Sequence, residues 1–308
     1  MNPARPLSLA LLASSILLGA CSRDSAPTSS GGRPSVVPAP TAPAASAASA
    51  THAAPIPSAS AMVPARKPAP SVKDALARAD ARCRPKKEAE SNLEMKVQMN
   101  ETVECLRRTM IADLDRVLLP VKTSSPARFR ALMDEQATYN KHADALAFLA
   151  EELMWVDFST GGRSDGTARG TGTMGCQGDA LTERIAYAAA LRAEDAETLA
   201  KRVHARKKAG DATRASVTRV RELATKRAMM PAATVPAGET AIEPAAFREL
   251  YAKADAVLDG AKALAKSTCE GNAPLATALG GDAACRVAVE TYYLGQCTVQ
   301  EPLDAHAQ

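Results

Sequence analysis

Six cysteines lie beyond residue 72, with Cys83, Cys105 and Cys176 in one half and Cys269, Cys285 and Cys297 in the other. An even number in an exported chain implies a disulfide framework. Three per half means that full oxidation needs an odd number of bridges between the halves, so the two halves are expected to form one covalently tied unit. No pair has CxxC spacing or a histidine at zinc spacing, so no metal site is expected. Helix geometry prunes the pairings. Cys285 and Cys297 sit in a stretch that reads as continuous helix, which would hold their Cα atoms about 18 Å apart at 1.5 Å per residue, against a disulfide limit of about 7 Å. Cys269 closes one helical stretch and Cys285 opens the next, so those two can meet. Cys297 is then expected to reach Cys83, and Cys105 to pair with Cys176.

Export itself is read from the first twenty residues. Arg5 supplies the positive charge, and Leu7 to Gly19 is an apolar run too short for a stable membrane anchor. The run ends in Leu18-Gly19-Ala20-Cys21, which resembles the bacterial lipobox. That resemblance implies cleavage before Cys21, lipid on its sulfur and new amine, and attachment to a membrane of a bacterial envelope. Ser22 follows rather than aspartate, and by analogy with enteric bacteria this favours the outer membrane. Residues 21–72 are expected to be a disordered tether. From Arg23 to Val72 the chain is rich in Ala, Pro and Ser, holds ten of the twenty prolines and has no aromatic residue. Such a composition cannot nucleate a core, and as flexible coil it would span about 40 Å.

The remainder is expected to be all-α: a disulfide-stapled bundle of six to seven helices, with 73–230 as the main helical domain and 231–308 as a helical hairpin on the same unit. Alanine, leucine and charged helix formers dominate, and aromatics are only 3%. Met99, Val103, Leu106, Met110, Leu114 and Val117 recur at gaps of three and four, predicting a helix that ends near Pro120. Phe129, Leu132, Met133, Gln136, Tyr139, Leu146, Leu149 and Leu153 predict a second after Ser125-Pro126. Leu181, Ile185, Ala188 and Leu191 predict a third, running to about Ala209 and broken by Gly210. A basic helix to Met230, one from Pro244 to Thr268, and a last from Asp282 to about Cys297 complete the set. No strand is expected.

Phe158 to Cys176 departs from that pattern. It holds six of the seventeen glycines. It lacks the GK[ST] ending of a phosphate-binding loop and follows no predicted strand, so no nucleotide or other cofactor is expected. The alternatives are a long solvated connection or a partner-facing loop presenting Gly161, Gly162, Arg163 and Arg169. A second candidate surface runs from Lys201 to Arg227, where ten Lys or Arg face only Asp211 and Glu222. It reads either as a solvated helix face or as a stripe that meets anionic lipid or polymer. Nucleic acid is disfavoured by the export signal. No nucleophile elbow or zinc-protease motif is present, and no catalytic residue is assigned.

The central stretch also carries a resemblance. Gln136-x-x-Tyr139-x-x-His142-x-Asp144, the GlyGly-x-Ser of Gly161 to Ser164, and Cys176 followed by Leu181-Thr182-Glu183-Arg184 resemble the exported family named for lysozyme-inhibitor lipoproteins of the LprI type. Met99-Asn100 before Cys105 and the later Leu114-Asp115 resemble that family's first helix. The likeness covers about Cys83 to Leu191. It departs where Tyr139 replaces tryptophan, Ala143 replaces arginine and Ala147 replaces cysteine. It implies a non-catalytic module that binds lysozyme-type cell-wall glycosidases, with Gln136, Tyr139 and the glycine loop at the binding edge. The competing expectation is a structural envelope protein that holds anionic surface polymer or lipid through the basic helix.

Overall fold

The computed structural model describes residues 69–303 other than 165, 232 and 233. The signal peptide, Cys21 and nearly all of the expected tether lie outside the described residues. Among the described residues nine helices and three short strands follow one another, beginning with α1 (Val72–Cys83), α2 (Asn92–Ser124) and α3 (Pro126–Glu152). Ser71 caps α1 by accepting a bond from the Asp74 amide at 3.2 Å. Its Val72, Ala75, Ala79 and Cys83 are buried at helical spacing. Alone, twelve residues are too few for a stable helix in water, so α1 exists because it packs on its neighbours.

Pro120 does not end α2, which continues one more turn to Ser124. Proline removes one backbone bond from a helix interior, but here the residue is solvent-exposed near the helix end, where water can satisfy the orphaned carbonyl. Ser125 closes α2 and at once precedes Pro126 at the first turn of α3, so the two helices reverse in a single residue.

The chain then forms β1 (Val156–Asp157) and β2 (Gly162–Ser164) before α4 (Thr171–Ala193), α5 (Ala196–Ala205) and α6 (Lys207–Ala228). Strand β3 (Glu239–Ala241) precedes α7 (Pro244–Gly271), α8 (Ala273–Ala278) and α9 (Asp282–Leu294). The expected absence of strands is thus corrected. The three strands form an antiparallel sheet in the order β1-β2-β3, with Val156 opposite Arg163 and Arg163 opposite Thr240. Strands of two or three residues are too short to leave a period in the sequence.

Helix α4 lies at the centre. Ala180, Ile185, Ala186, Tyr187, Ala188, Ala189 and Ala190 are all buried, so it is apolar on nearly every side, as a core helix must be. It contacts α1, α2, α3 and α5, while α7 contacts α3, α6 and α9. Buried residues of α7, α8 and α9 belong to the same core as those of α3 and α4.

Gly210 does not break a helix; the breaks fall at Glu194 and Asp195 and again at Arg206, and Gly210 lies inside α6. A Cβ there would stand 1.9 Å from the carbonyl oxygen of Thr291, and one on Gly295 would stand 2.6 Å from that of Arg206. The glycines let α6 and α9 touch backbone to backbone.

The disulfides are Cys83–Cys105, Cys176–Cys297 and Cys269–Cys285. The last is the expected pair, whereas Cys83–Cys297 and Cys105–Cys176 do not form. Helix α1 folds back beside α2, bringing Cys83 to Cys105 with Cα atoms 5.4 Å apart. Helix α9 stops at Leu294, so Cys297 lies beyond it and is free to turn toward Cys176 in α4. That one bridge joins the halves and spans 121 residues. Chain-entropy arguments assign it about 5 kcal/mol.

Candidate functional site

The glycine-rich stretch is built around two adjacent carboxylates at the end of α3. Glu151 and Glu152 are each only 6% exposed. Glu151 accepts hydrogen bonds from the backbone amides of Gly170 at 2.5 Å, Gly172 at 2.8 Å and Thr173 at 3.1 Å, and from the indole of Trp155 at 2.7 Å. The residue at the start of α4 is Gly170, which has no side chain to cap with. Glu151 supplies the cap from another helix, and its negative charge suits the positive end of the α4 dipole. Gly172 is required for this: a Cβ there would fall 2.9 Å from the Ala150 carbonyl oxygen and 3.0 Å from the Glu151 carboxylate.

Glu152 holds the two arginines, Arg163 at 2.8 Å and Arg169 at 2.9 Å. Their side chains are 26% and 33% exposed. At the hairpin turn, Asp157 accepts from the amide and hydroxyl of Ser159 at 2.7 and 2.6 Å. Gly161 and Gly162 join the turn to β3: the Ile242 amide bonds to the Gly161 carbonyl at 3.0 Å, and Gly162 pairs with Ala241. The expected adaptable loop is thus a strapped hairpin, and the arginines expected to face a partner are ion-paired to Glu152.

Gln136 and Tyr139 belong to a second buried cluster. Arg184, 2% exposed, lies between the rings of Tyr139 and Tyr187, with its central carbon 4.7 and 4.5 Å from their centres. It donates to Glu135 at 2.8 Å and to the Gln136 side-chain oxygen at 2.8 Å. Tyr139 donates to the Ala180 carbonyl at 2.6 Å and is buried rather than presented at an edge. Burial opposes the charge on Arg184, but Glu135 together with Tyr293, Tyr187 and Tyr139 outweighs it and holds the guanidinium above its ordinary pKa. Nearby, His142 has its ring nitrogens 3.1 Å from the Val257 carbonyl oxygen and 3.2 Å from that of Tyr293. Burial keeps its pKa below the usual imidazole range.

The stripe from Lys201 to Arg227 is also largely engaged within the fold. Arg202 and Arg206 converge on Glu183, which is 1% exposed and accepts from Tyr292 as well. Arg214 pairs with Glu290 and Arg221 with Asp255. Arg227 donates to the carbonyls of Phe158 and Ser159, tying α6 to the hairpin. Lys201 and Lys207 pair with acids four residues away on their own helices. Five arginines of the stripe are thus held by carboxylates or carbonyls of other elements, while Lys201 and Lys207 stay exposed.

A different cationic region is present. Helices α1 and α2 border an open groove of about 450 Å³. Ala75, Arg78, Ala81 and Arg82 line it from α1. Thr109, Ala112, Asp113 and Arg116 line it from α2. Positions three, four and seven apart share one helix face, and the alanines leave the space between the walls. Asp113 is buried and ion-pairs with Arg116, whose side chain is 54% exposed. Arg78 and Arg82 are exposed, and among the described residues neither has an ion-pair or hydrogen-bond partner for its side chain. Three guanidinium groups against one carboxylate leave a surplus of two positive charges. A sequence signal for this existed. Arg66, Lys67, Lys73, Arg78, Arg82, Arg84, Lys86 and Lys87 face only Asp74 and Asp80, a basic run about as dense as the one from Lys201 to Arg227.

Among the described residues no helix is long and apolar enough to cross a membrane, and no cluster of three His, Cys, Asp or Glu could hold a metal ion. Compared with known proteins, the chain matches no family model, no curated protein and no solved structure.

Proposed function

We propose that the protein is a lipid-anchored lipoprotein of the bacterial envelope, attached through Cys21, and that it works as a non-catalytic module binding an anionic envelope partner. One observation carries the reading: the distribution of charge. The interior acids Glu135, Glu151, Glu152 and Glu183 are each engaged with fixed arginines, amides or tyrosines. The unengaged guanidiniums Arg78 and Arg82 stand at the surface, a few residues beyond the expected tether. Cations held near a membrane or polymer surface raise the local concentration of anionic partners. This moves the surface from the α5–α6 stripe, where the sequence suggested it, to α1 and α2.

Inhibition of a lysozyme-type glycosidase remains the second reading, and the hairpin favours it. A rigid, pre-organised edge loses little entropy on binding, and the single tryptophan, Trp155, stands half-buried there. Co-sedimentation of the full chain carrying Cys21→Ser with anionic polymer or vesicles, beside a lysozyme binding and inhibition panel, separates the two. Retention on anionic material that weakens with salt supports the first. Saturable glycosidase binding that is indifferent to anionic material supports the second, and no binding to either sinks both.

A further inference from the structure

We infer that the groove between α1 and α2 is a binding site for a phosphate group carried by an anionic envelope molecule. The inference rests on the envelope-binding reading above and names its site and ligand. Arg78 and Arg82 lie one turn apart on α1, and Arg116 stands on α2 across the groove. Donors therefore approach the space from two walls. A carboxylate is planar and is satisfied by one guanidinium fork, whereas a phosphate offers oxygens in several directions and suits converging arginines. A phosphate monoester carries a charge of about −1.5 to −2 at neutral pH and a diester a single negative charge, and the surplus of two positive charges can neutralise either.

The volume fits too. Ala75, Ala81 and Ala112 keep the walls short, and the 450 Å³ groove has room for a phosphate with the groups next to it. Asp113 is the one carboxylate among the lining residues. It lies buried against Arg116 and fixes that guanidinium rather than facing the ligand as a free charge. The Cys83–Cys105 bridge locks α1 to α2 and so fixes the spacing of the two walls. This pre-organisation also explains how a twelve-residue helix built largely on alanine contacts can hold a ligand without shifting.

The test uses the full chain carrying Cys21→Ser, titrated calorimetrically with sn-glycerol 3-phosphate and by sedimentation with phosphatidylglycerol vesicles, against phosphatidylcholine vesicles as the blank. Arg78→Ala with Arg82→Ala is expected to weaken phosphate binding at least tenfold, and Lys208→Ala with Lys226→Ala to leave it within twofold. Inorganic phosphate should compete, and equimolar acetate should not. Binding of both probes identifies a soluble or polymer-borne phosphate, and binding of the vesicles alone identifies a lipid headgroup; either supports the site. If the double arginine variant binds the vesicles as well as the unsubstituted protein, the groove is wrong while the envelope-binding reading stands. If acetate competes as well as phosphate, the ligand assignment is overturned. If the unsubstituted protein binds neither probe, the inference fails, and its retention on anionic polymer then decides the broader reading separately.

Discussion

Arg163 and Arg169 on the hairpin, and Arg78 and Arg82 on α1, are the same residue type in two settings. Beneath the hairpin pair stands Glu152, 6% exposed and within 2.9 Å of both guanidiniums. Beneath the α1 pair stand alanines, and the nearest lining acid, Asp113, is paired with Arg116. The contrast teaches that a basic cluster in a sequence indicates a binding surface only where some of its members are left unclaimed by a carboxylate. Counting Lys and Arg along the chain selects α5 and α6, whereas asking which carboxylate lies behind each selects α1.

Breaking the carboxylate side of this contrast should have the largest effect. Glu151→Ala strips the cap from α4 and leaves three backbone amides and an indole without their acceptor, so urea unfolding should register a loss of about 4 kcal/mol. Removing Cys83–Cys105 through a double serine variant should cost about 3 kcal/mol, and it should abolish the phosphate affinity of the groove while sparing the hairpin. Glu152→Gln sharpens the comparison directly. It should cost about 1–2 kcal/mol, because Arg163 and Arg169 are partly solvated. It should also give the hairpin an affinity for glycerol 3-phosphate that it lacked.

A fourth test uses a group that burial keeps uncharged. His142 is held below its ordinary pKa by burial, so the folded protein resists a proton that the unfolded chain accepts. That stability is complete above the unfolded value of about 6.5 and falls as pH drops below it, by at most about 1.4 kcal/mol per unit. The part of the acid-induced loss that His142→Gln removes measures it; an unchanged pH profile in the variant would count against the buried neutral imidazole. Smallest of all, Arg78→Ala with Arg82→Ala should move the unfolding free energy by no more than about 0.5 kcal/mol. A larger loss would mean that these arginines, like the hairpin pair, hold the fold together.

The helical class and most helix faces were legible because packing writes a three-and-four period into the sequence. Tyr139, Leu146, Leu149 and Leu153 follow it and are buried, while Met133 is 43% exposed although its neighbours Phe129 and Leu132 pack against the core. Cys269–Cys285 was legible because its partners stand at the end of one long helix and the start of the next, with only the short α8 between them. The other two pairings were not, since they depend on α1 turning back and on α9 stopping early, and neither is written locally. The hairpin was half legible. Its glycines announced an unusual backbone, but Glu151 and Glu152 looked like any exposed helix end. The one local hint was Trp155, four residues past Glu151, where an indole can reach back to a carboxylate.

The bridge at the end of α1 has a mechanical consequence. A pull on the residues before Val72 enters the body through that helix, end first. Its contacts are small, so it peels turn by turn instead of resisting as a block. Peeling stops at Cys83, because the sulfur link hands the tension straight to Cys105 and the residues between them bear none. Twelve residues passing from helix to extended chain release about 25 Å of slack and no more. Arg78 and Arg82 ride on the part that peels. Tension therefore takes apart the grip on a phosphate first, while everything behind the link stays closed.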